Sequence, residues 1–286
     1  MQEILEVLKE NIIDSIKLLP FLFITYLLME LLENKASEKS LKVIKKSGKF
    51  GPILGSLLGI VPQCGFSAAA ASLYAGKIIS IGSLIAIFLS TSDEMLPILI
   101  SSAAPISLII KILLIKLIIG IVFGVIIDII FTKKNNINIE DDKTHIHDIC
   151  EDEHCHCNED GILRSSIKHT LHIFIYVFII VLAITILINI IGEDSIANIM
   201  TKTNILGPFV SSLIGIIPNC ASSVIITQLY LKDMITFGSL IAGLLMNSGI
   251  GMLILFRLNK NKKENFLILL ILFVISIISG IIIDLI

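Results

Sequence analysis

The chain has little charge. Asp, Glu, Lys and Arg make up 16% of its 286 residues, against 55% hydrophobic ones, and the two signs nearly cancel to a net charge of -2. Nucleic-acid binding neutralises phosphates with clustered cations, so the lack of a cationic excess excludes that class of partner. The chain has no Walker-type loop, and ATP is not expected to drive a process through it. A basic leader with a small-residue cleavage site is also missing: "MQEILEVLKENIIDSIK" is acidic and runs straight into an apolar stretch, so no signal peptide is expected. Cysteine is scarce and never spaced C-x2-C; Cys64 and Cys220 lie in apolar segments, while Cys150, Cys155 and Cys157 share one hydrophilic loop. That split suits reduced or metal-bound thiols better than a disulfide framework. What the scarcity of charge leaves is a mean hydropathy of +0.94, the signature of an all-α polytopic membrane protein.

An internal repeat organises the chain. At an offset of 156 residues, which carries Gly51 onto Gly207, residues 51–92 match 207–248 at 19 of 42 positions without gaps. "GIVPQCGFS" (59–67) answers "GIIPNCASS" (215–223), "GSLIA" recurs at 82–86 and 238–242, and "GVIIDII" (124–130) answers "GIIIDLI" (280–286). Three units follow: a first transmembrane repeat over 1–131, a polar linker over 132–166, and a second repeat over 167–286.

Crossing the hydrocarbon core takes about 20 helical residues. The first half offers apolar segments at 12–33, 51–62, 64–76, 78–101 and 105–131, and the second at 168–191, 207–218, 220–231, 234–256 and 265–286. The second and third of each half are too short to cross singly and read as re-entrant hairpins or as short helices meeting at Pro62 and Pro218. Either way each half crosses an odd number of times, so the second is expected to be inverted relative to the first. The basic residues agree: Lys35 to Lys49, the linker flanks (Lys133, Lys134, Arg164, Lys168) and Arg257 to Lys263 all fall on one side of such a topology, which the positive-inside rule makes cytoplasmic. Both termini are thus expected outside a cytoplasmic membrane and the linker inside.

Pro62 and Pro218 each remove a donor and disfavour helix for the preceding residue, freeing backbone groups where Gln63 and Cys64, or Asn219 and Cys220, stand. Such groups are tolerated at membrane depth when buried in protein or lining a polar cavity. A buried cysteine is commonly an inert small hydrophobe; recurrence at equivalent breaks argues for a shared ligand set. "STSDEMLP" (90–97) sets Asp93 and Glu94 in an uncharged run, and intramembrane carboxylates are functional by default. The corresponding "MNSGIGM" carries Asn247 and no acid, so the expected site takes its charge from the first half. Met95, Met246 and Met252 lie nearby as weaker candidates. The linker gathers His145, His147, Cys150, His154, Cys155, His156 and Cys157 within 13 residues among many acids, a composition that reads as a flexible metal-chelating tract. Lys111 and Lys116 interrupt the fifth segment and are expected to snorkel to its outer end. Asp128 and Asp284, at equivalent ends, are expected to be caps.

"IDSIKLLPFLFITYLLMELLE" (13–33), residues 51–99 with "PQCGFS" and "STSDEMLP", the linker, and "SSIKHTLHIFIY" (165–176) resemble the bacterial family of ten-transmembrane heavy-metal exporters, whose members are also labelled arsenic efflux proteins or manganese transporters. The resemblance covers nearly the whole chain and implies ten transmembrane segments and export of a metal or metalloid. The reading that joins it to the residues is a secondary exporter, not an enzyme, needing no cofactor. Its cargo would be a divalent metal, Mn2+ ahead of Zn2+ or Cd2+, with arsenite efflux as the alternative and a homo-oligomer left open. An intramembrane enzyme with Cys64 as nucleophile lacks a membrane-embedded histidine beside the thiol, and a metal sensor would rest on the linker alone.

Overall fold

The computed structural model describes residues 19–20, 22–24, 26–27, 50–61, 64–92, 95–134, 162–191 and 206–286. Every element among them is a helix: α1 (Gly51–Gly59), α2 (Cys64–Ala75), α3 (Ile81–Ser90), α4 (Met95–Ser101), α5 (Ile106–Lys134), α6 (Ile162–Ile191), α7 (Leu206–Gly215), α8 (Cys220–Leu231), α9 (Phe237–Met246), α10 (Gly251–Leu258) and α11 (Lys262–Leu285). The described residues of 19–27 are also helical, with Leu22 and Tyr26 buried in the core. Five stretches are long and apolar enough to cross a membrane: Ile81–Ser101, Ile106–Phe131, Ser166–Ala183, Phe237–Leu258 and Lys262–Leu285.

These stretches form two layers. Ile81–Ser101 and Phe237–Leu258 are 69% and 89% buried, whereas the other three are about a third buried or less. The outer helices turn their apolar residues outward: on α5, Ile106, Ile110, Leu114, Ile118, Val122, Ile126 and Ile130 form an exposed stripe at four-residue spacing. α6 and α11 carry similar stripes, through Ile167, Leu171, Ile175 and Ile179 and through Leu270, Val274, Ile278 and Ile282. An apolar face this long, turned away from the core, is stable against hydrocarbon and not against water. The protein is a multi-pass membrane protein.

The same local devices build both halves. Asp128 on α5 accepts from Ser80 Oγ at 2.7 Å and Gly82 N at 2.8 Å, while Asp284 on α11 accepts from Thr236 Oγ1 at 2.6 Å and Gly238 N at 2.7 Å. Ser80 and Thr236 also cap α3 and α9. Each carboxylate thus satisfies the otherwise orphaned donors of a buried helix start, and the expectation that the two aspartates are caps is met. Glycines let the backbones close. A Cβ on Gly124 would fall 2.7 Å from the Ala86 Cβ and 3.0 Å from the Pro52 Cβ; on Gly280 the corresponding distances are 2.7 Å to Ala242 and 3.0 Å to Pro208. Small residues at such seams permit the close packing that holds helices together in lipid.

The fourth segment of each half, expected to be one helix, is two. In the first half α3 stops at Ser90 and α4 starts at Met95. Pro97, in the first turn of α4, has no N–H to give one turn back and its ring clashes there with a continuing helix. In the second half α9 stops at Met246, Gly249 takes the left-handed region at φ 56, and Asn247 Oδ1 accepts from Gly249 N at 2.9 Å. The same mid-span break is thus made by proline once and by an Asn-Ser-Gly turn once.

The short pairs are hairpins. Gly51 faces Ser83 and Gly59 faces Ser90, so α1 runs parallel to α3; α2 ends at Ala75, six residues before α3 begins at the level where α1 began. The α7–α8 pair repeats this against α9, with Pro208 at the level of Gly280 and Gly238, and Gly215 beside Gly243. Among the described residues each short pair therefore starts and ends at one end of the bundle and does not cross it.

The halves interlock by exchange: α2 packs on α10 and α8 on α4, while α3 meets α9 at the centre. Tyr74, at the end of α2, donates to Glu264 at the start of α11. At the other end Lys111 Nζ, near the start of α5, lies 4.5 Å from the centre of the Phe237 ring at the start of α9. The rod α3–α4 and the rod α9–α10 therefore run antiparallel.

Candidate functional site

Antiparallel rods that both break at mid-span bring two helix C-terminal ends, those of α3 and α9, to one place. The last four carbonyls of a helix have no intrahelical partner, and the dipole makes that end partly negative. The void between the ends is taken by a lysine. Lys116 of α5 is 1% exposed, and its Nζ donates to the carbonyl oxygen of Thr91, the C-cap of α3, and to that of Leu244 in the last turn of α9 at 2.8 Å. One ammonium thus joins freed carbonyls of both halves.

This corrects the sequence reading, in which Lys116 snorkels with Lys111. Lys111 is exposed near the start of α5, as expected. Lys116 lies ten residues into the helix, about 15 Å at 1.5 Å per residue and so about half the hydrocarbon thickness, out of reach of either surface. That arithmetic was available from the sequence and would have found it.

Around Lys116 a narrow crevice is lined by Thr91, Ser92 and Met95 from the first break, Leu244 and Asn247 from the second, and Ser223 from α8. Ser92 Oγ donates to Ile60 O at 2.5 Å, tying the first break to the end of α1. Asn247 is 3% exposed and aligned with Thr91 by the repeat, but its Oδ1 already accepts from Gly249. Asn219 is also buried; it caps α8, its Oδ1 accepting from Ala221 N at 3.4 Å, and it does not line the crevice. Of the sequence-predicted ligands, the structure therefore brings Asn247 to the meeting point and gives Asn219 a capping duty.

Cys64 and Cys220 are the first residues of α2 and α8. Each helix abuts the opposite half's break one turn on: a Cβ on Gly251 would lie 2.7 Å from Ser67 O, and Ser223 lines the crevice with Ser92. Gln63, Asp93 and Glu94 lie outside the described residues, between positions that are described: Ser92 and Met95, on either side of the two acids, both line the crevice. His145, His147, Cys150, His154, Cys155, His156 and Cys157 also lie outside the described residues. Among the described residues no group of three His, Cys, Asp or Glu side chains could hold a metal ion.

With the geometry in view, one comparison identifies the chain's relatives. The model of the family described as "Putative, 10TM heavy-metal exporter" matches residues 4–195 and 159–286. No curated protein and no solved structure matches.

Proposed function

This chain belongs to that heavy-metal exporter family, and on that premise we propose that it exports a divalent cation, with Mn2+ the favoured cargo, by rocking two inverted halves around the doubly broken centre. One observation carries the proposal: two antiparallel rods break at mid-span and turn freed carbonyls, Asn247 and the chain flanking Asp93 and Glu94 toward one buried point. Broken helices from two repeats around a midplane site are how many secondary transporters bind ions. Carboxylates, carbonyls and an amide suit a hard divalent ion; the carboxylates of Asp93 and Glu94 would outweigh the Lys116 ammonium and leave net negative charge for it. The antiparallel rods support the inverted repeat, and the basic residues flanking the Tyr74–Glu264 end support a cytoplasmic side there. The linker, with its seven His and Cys residues, would gather the ion on that side.

A second reading, efflux of arsenite, draws on the equivalent positions of Cys64 and Cys220 at helix starts, where the dipole favours thiolate. An efflux-deficient strain challenged with manganese, zinc, cadmium and arsenite separates the two. Manganese tolerance that survives Cys64→Ser with Cys220→Ser but not Asp93→Asn is the expected result; arsenite tolerance that needs both thiols would replace the cation reading.

A further inference from the structure

We propose that Lys116 is a tethered cation: with no cargo bound it fills the carbonyl-lined point between the α3 and α9 ends, and a cargo ion binds by displacing it. The inference rests on the cation-export reading above and names what determines its specificity. The ammonium sits where two partly negative helix ends converge, held by one carbonyl from each half. At the position equivalent to Lys116 the second half has Leu272, which is fully buried. The lysine is therefore a feature of the first half alone, on a frame that the second half repeats with a leucine. Backbone carbonyls with Asn247, Ser92 and Ser223 close by offer the oxygen donors that a hard ion takes in place of water.

Two consequences follow from the geometry. A monovalent ion brings no more charge than the ammonium it must expel, so Na+ and K+ gain little, whereas a divalent ion gains about twice the Coulomb attraction at the same distance. Because Lys116 also ties Thr91 to Leu244, its expulsion unties the first half's break from the second's at the moment cargo arrives.

The test uses the purified full chain in lipid nanodiscs, with Lys116→Met, Lys116→Ala and Lys116→Arg. Equilibrium Mn2+ binding should tighten at least tenfold in Lys116→Met and stay near wild type in Lys116→Arg. Lys116→Ala should unfold several degrees lower than wild type and be restored by methylammonium chloride, with no gain from tetramethylammonium chloride at the same ionic strength. Mn2+ bound no more tightly by Lys116→Met than by the wild type would overturn the proposal, as would equal responses of Lys116→Ala to the two ammonium salts. If Lys116→Ala does not fold, the Met and Arg variants decide. Methylammonium rescue without Mn2+ binding by any of the proteins supports the cation point and overturns the manganese reading instead.

Discussion

The break at 91–94 and the break at 247–250 stand at equivalent positions of two similar frames. The frames agree nearly atom for atom: Ser80–Asp128–Gly82 is repeated as Thr236–Asp284–Gly238, each bond within 0.1 Å of its counterpart. The contents differ. Asp93 and Glu94 align with Gly249 and Ile250, Thr91 with Asn247, and Lys116 with Leu272, so the ionisable residues at these paired positions all belong to the first half. Duplication accounts for the scaffold, and divergence at a few positions accounts for the chemistry.

The largest effect should come from the contents. Asp93→Asn should lower manganese flux into everted vesicles by more than about a hundredfold, roughly 3 kcal/mol of lost stabilisation, while Asn247→Ala, across the pseudo-axis, should cost about tenfold. Equal losses would mean that the site is not lopsided. The frames should respond alike: Asp128→Ala and Asp284→Ala each orphan a helix start and should destabilise the protein by about 2 kcal/mol, read from unfolding in nanodiscs, and a difference as large as the effect itself would break the equivalence. The smallest effect sits at the bundle ends. Tyr74→Phe removes the donor to Glu264, which keeps Asn259 Nδ2 at 3.2 Å, and should cost about 1 kcal/mol. Tyr230→Phe keeps the ring packing on Phe237 at 5.9 Å and should change stability by under about 0.5 kcal/mol.

Much of the frame was legible in the sequence because duplication prints it twice. Gly82, Gly238, Asp128 and Asp284 recur at a fixed offset, and Pro62 and Pro218 announce the hairpin turns. The mid-span breaks were harder to see because they are made differently in the two halves: Pro97 acts through the residue four before it, and Gly249 sits in an apolar run where a lone glycine reads as packing. Lys116 was misplaced for a related reason. It has no charged counterpart in the second half, and its depth along α5 already ruled out snorkelling. The exchange of α2 and α8 between halves is a long-range pairing, and no local periodicity encodes such a contact.

The central claim is that one cation site lies between the breaks and takes its charge from the first half. Counting Mn2+ bound to the purified full chain with residues 140–160 deleted tests it most directly. The account predicts about one ion per chain, retained in Cys64→Ser with Cys220→Ser and lost in Asp93→Asn with Glu94→Gln. Mn2+ retained by the acid variant and lost from the thiol variant would contradict it.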